Sequence, residues 1–206
     1  MAYLTDKTFE TIASVISDAE AKSGCELLAV FAARSDDYRY LPMLWAAAGA
    51  LFLPLAATLF LPLERPDLPA FALTQLLVFL GLTLFFRIEP LRIRLVPKSV
   101  RLARAQQQAH LQFMTHGLNS SESPPAILFY VSFEERYVQI LTNAKVTIAD
   151  ETWQEIIDTM IARIHAGEKD EGMIEAVQSI SKTMQEHCAP LGDERQNRYP
   201  NRLIML

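Results

Sequence analysis

Two acidic pairs could bring carboxylate oxygens to one edge of a folded domain. Asp36 and Asp37 follow an apolar stretch typical of a strand, and Asp150 and Glu151 begin a stretch with helical apolar spacing. Calcium takes about six to eight oxygen ligands, so four carboxylates would supply part of a calcium site. The alternative is purely local, because Asp36 and Asp37 can terminate a loop and Asp150 can cap a helix.

Other chemistry has little support in the residue pattern. Phosphoryl hydrolysis needs a nucleophile or an activated water, together with groups that neutralise the phosphate. The sequence holds no P-loop, no DxDx(T/V) stretch, no CxxxxxR loop and no histidine-rich metal cluster. The acidic-basic run at 134–136 (EER) is predicted to be solvated charge in a turn.

Two uncharged stretches dominate the first half of the chain. Leu41–Leu63 has 23 residues and Leu68–Phe86 has 19, and only four residues separate them. A bilayer core needs roughly 20 apolar helical residues to cross it. The sequence therefore predicts a two-span transmembrane α-hairpin. Since no ionisable group lies within the spans, they are interpreted as an anchor rather than an ion or proton pathway.

Basic residues predict the orientation of the hairpin. Arg34 and Arg39 precede it and six more follow it, whereas the connecting turn offers only Arg65. Lysine and arginine accumulate on the cytoplasmic side, so both termini should be cytoplasmic in a multi-pass protein of the inner (plasma) membrane. The basic run after the hairpin is predicted to contact anionic lipid headgroups. It consists of Arg87, Arg92, Arg94, Lys98, Arg101 and Arg104.

Composition argues against two further classes, nucleic-acid binders and structural zinc proteins. The chain has 206 residues, a net charge of −5 and 21% charged residues, which argues against a general nucleic-acid binder. Cys25 and Cys188 are the only cysteines, too few for a structural zinc site. They do not exclude a disulfide, but a reducing compartment is the simpler interpretation.

The elements outside the hairpin predict an α/β fold. Their order is helix, strand, hairpin, helix, strand, strand, helix, helix, which is typical of a small central sheet sandwiched by helices. Since a lone apolar strand leaves its backbone groups unpaired, the first strand should complete a sheet formed after the hairpin. The predicted strands are Cys25–Ala33, Ala126–Ser132 and Tyr137–Thr142.

The hairpin thus interrupts one domain. Residues 1–40 form its first part and residues 87–190 its second part. The hairpin occupies 41–86, with spans at 41–63 and 68–86, and residues 191–206 form a polar C-terminal tail.

Four segments carry a resemblance to the TPM domain family, and in particular to a bacterial membrane subgroup with two inserted spans. Their order, their spacing and the insertion point all agree with that subgroup. The segments are AEAKSGCELLAVFAARSDDY, ARAQQQAHLQFMTHGL, AILFYVSFEERYVQILTNAKV and ETWQEIIDTMIARIHAG.

This resemblance implies a sheet sandwiched by helices. Among members of the family, some are reported as acid phosphatases, others bind calcium, and some act in assembly or repair of membrane complexes. The chain departs from the family where Asn143-Ala144-Lys145 replaces a turn that commonly carries an aspartate and a glycine.

The leading hypothesis is a non-enzymatic, cytoplasm-facing membrane adaptor, or an assembly or quality-control factor for membrane complexes. Its expected partners are the lipid bilayer and other membrane proteins, and not nucleic acid. The alternative is a calcium-dependent acid phosphatase, or a calcium-responsive domain that uses Asp36 and Asp37.

Overall fold

The computed structural model describes residues 4–61, 67–88, 93, 95–120, 123–188 and 203–206. Within these residues the chain forms six helices and four strands. They are α1 (Asp6–Lys22), β1 (Glu26–Ala32), α2 (Tyr40–Phe60), α3 (Leu68–Phe85), α4 (Lys98–Thr115), β2 (Ala126–Ser132), β3 (Tyr137–Thr142), α5 (Asp150–His165), α6 (Lys169–His187) and β4 (Leu203–Met205).

The chain divides into two compact units. The first, here called the sheet unit, comprises Met1–Ser35 and Leu102–Leu206. The second, here called the insert, comprises Asp36–Arg101. All four described strands therefore belong to the sheet unit, although the insert separates β1 from the others along the chain.

The sheet has the order β3-β2-β1-β4. β1 and β2 are parallel along their whole length, from Glu26 opposite Ala126 to Ala32 opposite Ser132, and β2 and β3 are antiparallel. The prediction that the first strand completes a sheet formed later in the chain is confirmed. Parallel neighbours require a long crossover connection, and the insert together with α4 lies in that crossover.

Helices cover both faces of the sheet, which explains why β1 and β2 are apolar throughout rather than alternating. One face, with Phe31 and Phe129, packs against α1, α5 and α6, which contribute Ile16, Trp153 and Val177. The opposite face packs against Ala109 and Phe113 of α4 and against Leu118 just after it. The fold class predicted from the sequence, a small α/β sheet between helices, is confirmed.

Local signals fix the helix ends. Thr5 caps α1 by accepting the Thr8 amide at 3.3 Å on its side-chain oxygen, as its position before Asp6 predicts. Gly167 follows α5 with φ of +91°, a conformation that costs a glycine little. Asp150 was predicted to cap α5, and this is wrong by one residue. The cap position is Ala149, and Asp150 lies in the first turn.

The C-terminal tail was predicted as a polar segment, and its end forms a strand. Leu203–Met205 adds to the open edge of β1 in parallel, with Leu203 opposite Ala29. The Ala33 amide donates to the Leu206 carbonyl at 2.8 Å. Three apolar residues are too few for a periodic signal, so the pairing depends on the edge that β1 offers.

The two cysteines form a disulfide, whereas the sequence alone favoured reduced thiols. Cys25 lies just before β1, and Cys188 directly follows α6. They are 163 residues apart in sequence, yet their Cα atoms are 5.8 Å apart. Because α6 packs along the sheet, the residue that follows it reaches the beginning of β1, which no sequence spacing reveals.

The insert contains the two helices that the sequence assigned to the hairpin. α3 begins after Asp67, whose side chain accepts the Ala70 amide at 3.0 Å. Residues 64–66 of the predicted connecting turn at 64–67, including Arg65, lie outside the described residues. Both helices are long and apolar enough to cross a membrane by length and composition.

Gly49 marks a close contact between α2 and α3. A Cβ atom placed on Gly49 would lie 2.5 Å from Cδ1 of Leu82, whereas one placed on Gly81 would meet nothing within 4 Å. The two glycines therefore form a matched pair, one in the helix contact and one facing open space.

We expect Gly49→Ile to destabilise the insert by about 1–3 kcal/mol, because the branched side chain must displace Leu82. Gly81→Ile should change stability much less. Thermal unfolding of both variants in the same detergent measures the difference. Equal midpoints for the two variants would contradict this packing.

Candidate functional site

The carboxyl ends of β1 and β2 carry a cluster of polar side chains, here called the hydroxyl cluster. It comprises Ser35, Tyr130, Ser132 and Glu135, all within the sheet unit. Ser132 is 1% exposed and Glu135 5% exposed, so the carboxylate lies in a largely dry environment. Ligand sites in α/β sheets often lie beyond the carboxyl ends of the strands, which makes this cluster the leading candidate.

Hydrogen bonds run through the cluster in one direction. The Ser35 hydroxyl donates to Ser132 Oγ at 2.8 Å, and the Ser132 hydroxyl donates to Glu135 Oε2. Tyr130 OH lies 2.9 Å from Ser35 Oγ and is the donor there, since the Ser35 proton points to Ser132. The Ser35 amide donates to the other carboxylate oxygen of Glu135 at 3.1 Å.

The turn between β2 and β3 aims Glu135 inward. Arg136 has φ of +53°, in the left-handed region, and its amide donates to the Phe133 carbonyl at 3.3 Å. The amides of Phe133 and Glu134 donate at 3.1 Å to the carbonyls of Ala32 and Ala33. The turn is thereby held against the end of β1, which directs the carboxylate of Glu135 toward Ser35.

The prediction of solvated turn charge is therefore wrong for Glu135, although Arg136 is exposed. The sequence gives little sign of this burial. A serine three residues before a glutamate, at a strand end, is a common pattern, and only the pairing of β1 with β2 adds Ser35 as a partner.

Burial alters the titration of the two tyrosines near the cluster. It raises the pKa of Tyr130, and the charge of Glu135 adds to the shift; the hydroxyls of Ser35 and Ser132, which can turn to donate to the phenolate, oppose it. Burial also raises the pKa of Tyr137, with a smaller contribution from Tyr130. Tyr137 OH donates to Gln139 Oε1 at 2.8 Å.

The chemistry of this arrangement is proton exchange along a line of hydroxyls that ends at a carboxylate. Each hydroxyl proton of the line from Tyr130 to Ser132 already has an acceptor, and Glu135 receives two donors. A reacting substrate would have to displace one of these bonds. The cluster as it stands ties the exit of β1 to the turn after β2.

The acidic residues predicted to bind calcium belong to different units. Asp36 and Asp37 are in the insert, where Asp36 accepts the Tyr38 amide at 3.1 Å and Asp37 pairs with Arg39 at 2.8 Å. Asp150 and Glu151 are in the sheet unit, exposed in the first turn of α5. A calcium site formed by these four residues stays a prediction.

Within the described part of the chain, no three His, Cys, Asp or Glu side chains form a group that could hold a metal ion.

Asn143, where the family turn commonly has an aspartate, uses every polar atom of its side chain. Its amide nitrogen donates to the carbonyls of Leu118 at 3.2 Å and Pro124 at 2.7 Å. Its oxygen accepts the amides of Ala126 at 3.3 Å and Lys145 at 3.2 Å. An aspartate could not make the two donor bonds, so the residue joins three segments of backbone.

The basic residues predicted to contact lipid are only partly described. Arg87 and Lys98 are exposed, and Arg101 and Arg104 are half-buried. Arg104 donates to Gln107 Oε1 at 3.1 Å. Arg92 and Arg94 lie outside the described residues.

Comparison with known proteins identifies the second half of the sheet unit. The family model of the TPM domain matches residues 91–183, which include α4, β2, β3 and α5. This segment is therefore similar to a TPM domain. The match begins after β1, yet β1 pairs with β2 along seven residues and belongs to the same sheet. The match confirms the resemblance of this segment to the TPM domain family.

A solved structure has the same fold. The NMR structure of the BA42 protein from the psychrophilic bacterium Bizionia argentinensis aligns with a TM-score of 0.56, covering 98% of this chain and 95% of that one. The sequences are 11% identical, so the likeness concerns the fold alone. No curated protein matches the chain.

We expect Asn143→Asp to lower the free energy of unfolding by about 2–4 kcal/mol, since a buried carboxylate would face two carbonyl oxygens and lose two donor bonds. The matched control is Asn119→Asp, at an exposed position, which should stay within about 0.5 kcal/mol of the parent. Denaturant unfolding measures both. Equal effects would show that the Asn143 bonds contribute nothing.

Tyr130 should make stability fall at alkaline pH. Its folded-state pKa is raised above the ordinary value of 10.0, so the fold favours the protonated phenol. This contribution is fully present below about pH 10 and is lost as the pH rises through the folded-state pKa. We expect Tyr130→Phe to flatten the decline in denaturation midpoint above about pH 10. Parallel curves for parent and variant would contradict the assignment.

Proposed function

We propose that the protein is an integral membrane protein whose TPM domain serves as a non-enzymatic adaptor, or as an assembly or quality-control factor, for membrane complexes. The observation that carries the proposal is the character of α2 and α3. Neither helix contains a charged residue, and α3 has no buried residue along its 18 positions.

Exposed apolar area on this scale favours a lipid environment. A surface helix of a soluble protein is amphipathic, with its apolar stripe turned to a core. α2 and α3 instead expose large apolar side chains on many sides, and contiguous apolar patches above a few hundred Å² mark interaction or membrane sites. The most exposed include Leu59, Phe60, Leu68 and Leu84, at 64–84%.

The sheet supports placing both flanks of the hairpin on one side of the membrane. β1 precedes α2, and β2 follows α3, and the two strands form one parallel pair. Two spans return the chain to the side from which it entered. Charge then favours the cytoplasmic side of the inner membrane, because Arg87, Lys98 and Arg101 follow the second span.

Contact with anionic headgroups would strengthen the attachment. Each lysine or arginine near such a surface contributes about 1 kcal/mol. Arg87 and Lys98 are exposed and adjoin α3, so they are the best placed of the described basic residues.

Two features of the TPM domain support a role without catalysis. The serine hydroxyls of the hydroxyl cluster donate hydrogen bonds within the cluster, and the side-chain amide of Asn143 donates to backbone carbonyls. A domain whose polar groups maintain loops and turns is suited to presenting a surface to partner proteins.

Tags at residue 1 and residue 206 test the topology. We expect both tags to be protected from protease in intact spheroplasts, and the protein to stay in the pellet after alkaline carbonate extraction. Disruption of the membrane should expose both tags. Tags on opposite faces, or release by carbonate, would overturn the proposal.

A calcium titration followed by thermal unfolding tests the non-enzymatic role. We expect no calcium-dependent rise in melting temperature and no phosphomonoesterase activity in the full chain. A rise that Asp36→Ala and Asp37→Ala abolish, or activity that they remove, would favour the calcium-dependent alternative.

A further inference from the structure

The Cys25–Cys188 bond joins the segment just before β1 to the residue that follows α6. Cys25 precedes β1, the strand on which β4 lies, and Cys188 is the residue from which the chain continues toward β4. The Cys188 amide donates to the Met184 carbonyl at 2.8 Å, which closes the last turn of α6. The bond therefore fixes the end of α6 against the beginning of β1.

β4 has a small contact with the sheet. Its register covers only three residue pairs, from Ala29 with Leu203 to Phe31 with Met205. The Leu206 amide donates to the Phe31 carbonyl at 3.1 Å, and Ile204 packs on the face covered by α4. Met205 and Leu206 are 67% and 48% exposed. A strand held by so few contacts depends on how closely its preceding chain is tethered.

The compartment decides the state of the two thiols. This step rests on the proposed function, in which the TPM domain faces the cytoplasm. Cysteine thiols in the cytoplasm are kept reduced. Disulfides that form there under oxidation usually act as redox sensors. The sequence has two cysteines only, so the pair can form one intramolecular bond.

We propose that Cys25 and Cys188 form a thiol–disulfide switch that sets how firmly β4 occupies the edge of β1. In the oxidised state Cys188 is fixed beside the beginning of β1, and β4 stays paired. In the reduced state the last turn of α6 loosens, β4 leaves the sheet more often, and the edge from Ala29 to Ala33 exposes its backbone groups.

Reduction proceeds by exchange with a dithiol reductant of the thioredoxin class. Its thiolate attacks Sγ of Cys188, which is 9% exposed, whereas Cys25 is fully buried. Cys25 leaves as a thiolate and takes a proton. The second thiol of the reductant then releases Cys188, and the reductant carries away the pair as its own disulfide, so two electrons pass to the protein.

Amide hydrogen exchange on the purified full chain in detergent tests the structural half of the switch. We expect reduction to speed exchange at Leu206 and Ala33 by on the order of tenfold, because both amides bond across the β1–β4 pair. The β2–β3 pair at Val131 and Val138 provides an internal reference that should change much less. Identical exchange in both states would overturn the proposal.

The double variant Cys25→Ser, Cys188→Ser separates the bond from side effects of the reductant. It should exchange like the reduced parent under either condition. If the amides of the variant exchange as slowly as those of the oxidised parent, the disulfide does not stabilise the pairing of β4 with β1.

Thiol trapping in cells tests whether the two cysteines change between thiols and disulfide, as the switch requires. Alkylation with a maleimide polymer should find both thiols reduced in unstressed cells and paired after treatment with diamide. A bond that persists in unstressed cells would overturn the switch. The tag experiment then tells the causes apart: protected tags mean that the topology stands and the switch alone fails, whereas exposed tags mean that the proposed side of the membrane is wrong.

Discussion

The parallel pairing of β1 with β2 is the constraint on which the structure depends. Seven residues on each strand are in register, although the whole insert separates them in sequence. Both strands are buried on both faces, so loss of the pairing would expose the apolar core together with two rows of backbone groups. The helices, the hydroxyl cluster and the edge for β4 all take their positions from this pair.

The same pairing explains how polar groups come to be buried at the sheet's edge. Ser35 is three residues beyond β1, and Ser132 is the last residue of β2. In parallel strands these ends meet, so the two hydroxyls lie within hydrogen-bond distance and Glu135 closes the arrangement. A buried carboxylate with two donors is stable because each oxygen has a partner, and the loop after β1 is fixed as a result.

Local pattern was enough to predict most elements, and it failed where contacts distant in sequence decide. β2 and β3 begin and end where apolar stretches of the sequence give way to turn residues. Thr5 caps α1, as its residue type suggests. The burial of Glu135 requires Ser35, which is 100 residues away. The disulfide and β4 likewise depend on surfaces that exist only after β1 is in the sheet. The four-residue calcium prediction spans the two units and stays a prediction.

The position of the insert has a consequence for biosynthesis. Glu26 pairs with Ala126, so the ribosome must make 100 further residues before the first strand meets its neighbour. At roughly 5–20 residues per second, that delay is about 5–20 s. During it, the nascent strand is an apolar segment without a sheet, in a chain whose next segment is also apolar. Closure of the sheet therefore follows synthesis of the whole insert, and until then the backbone groups along one edge of β1 lack their neighbour β2.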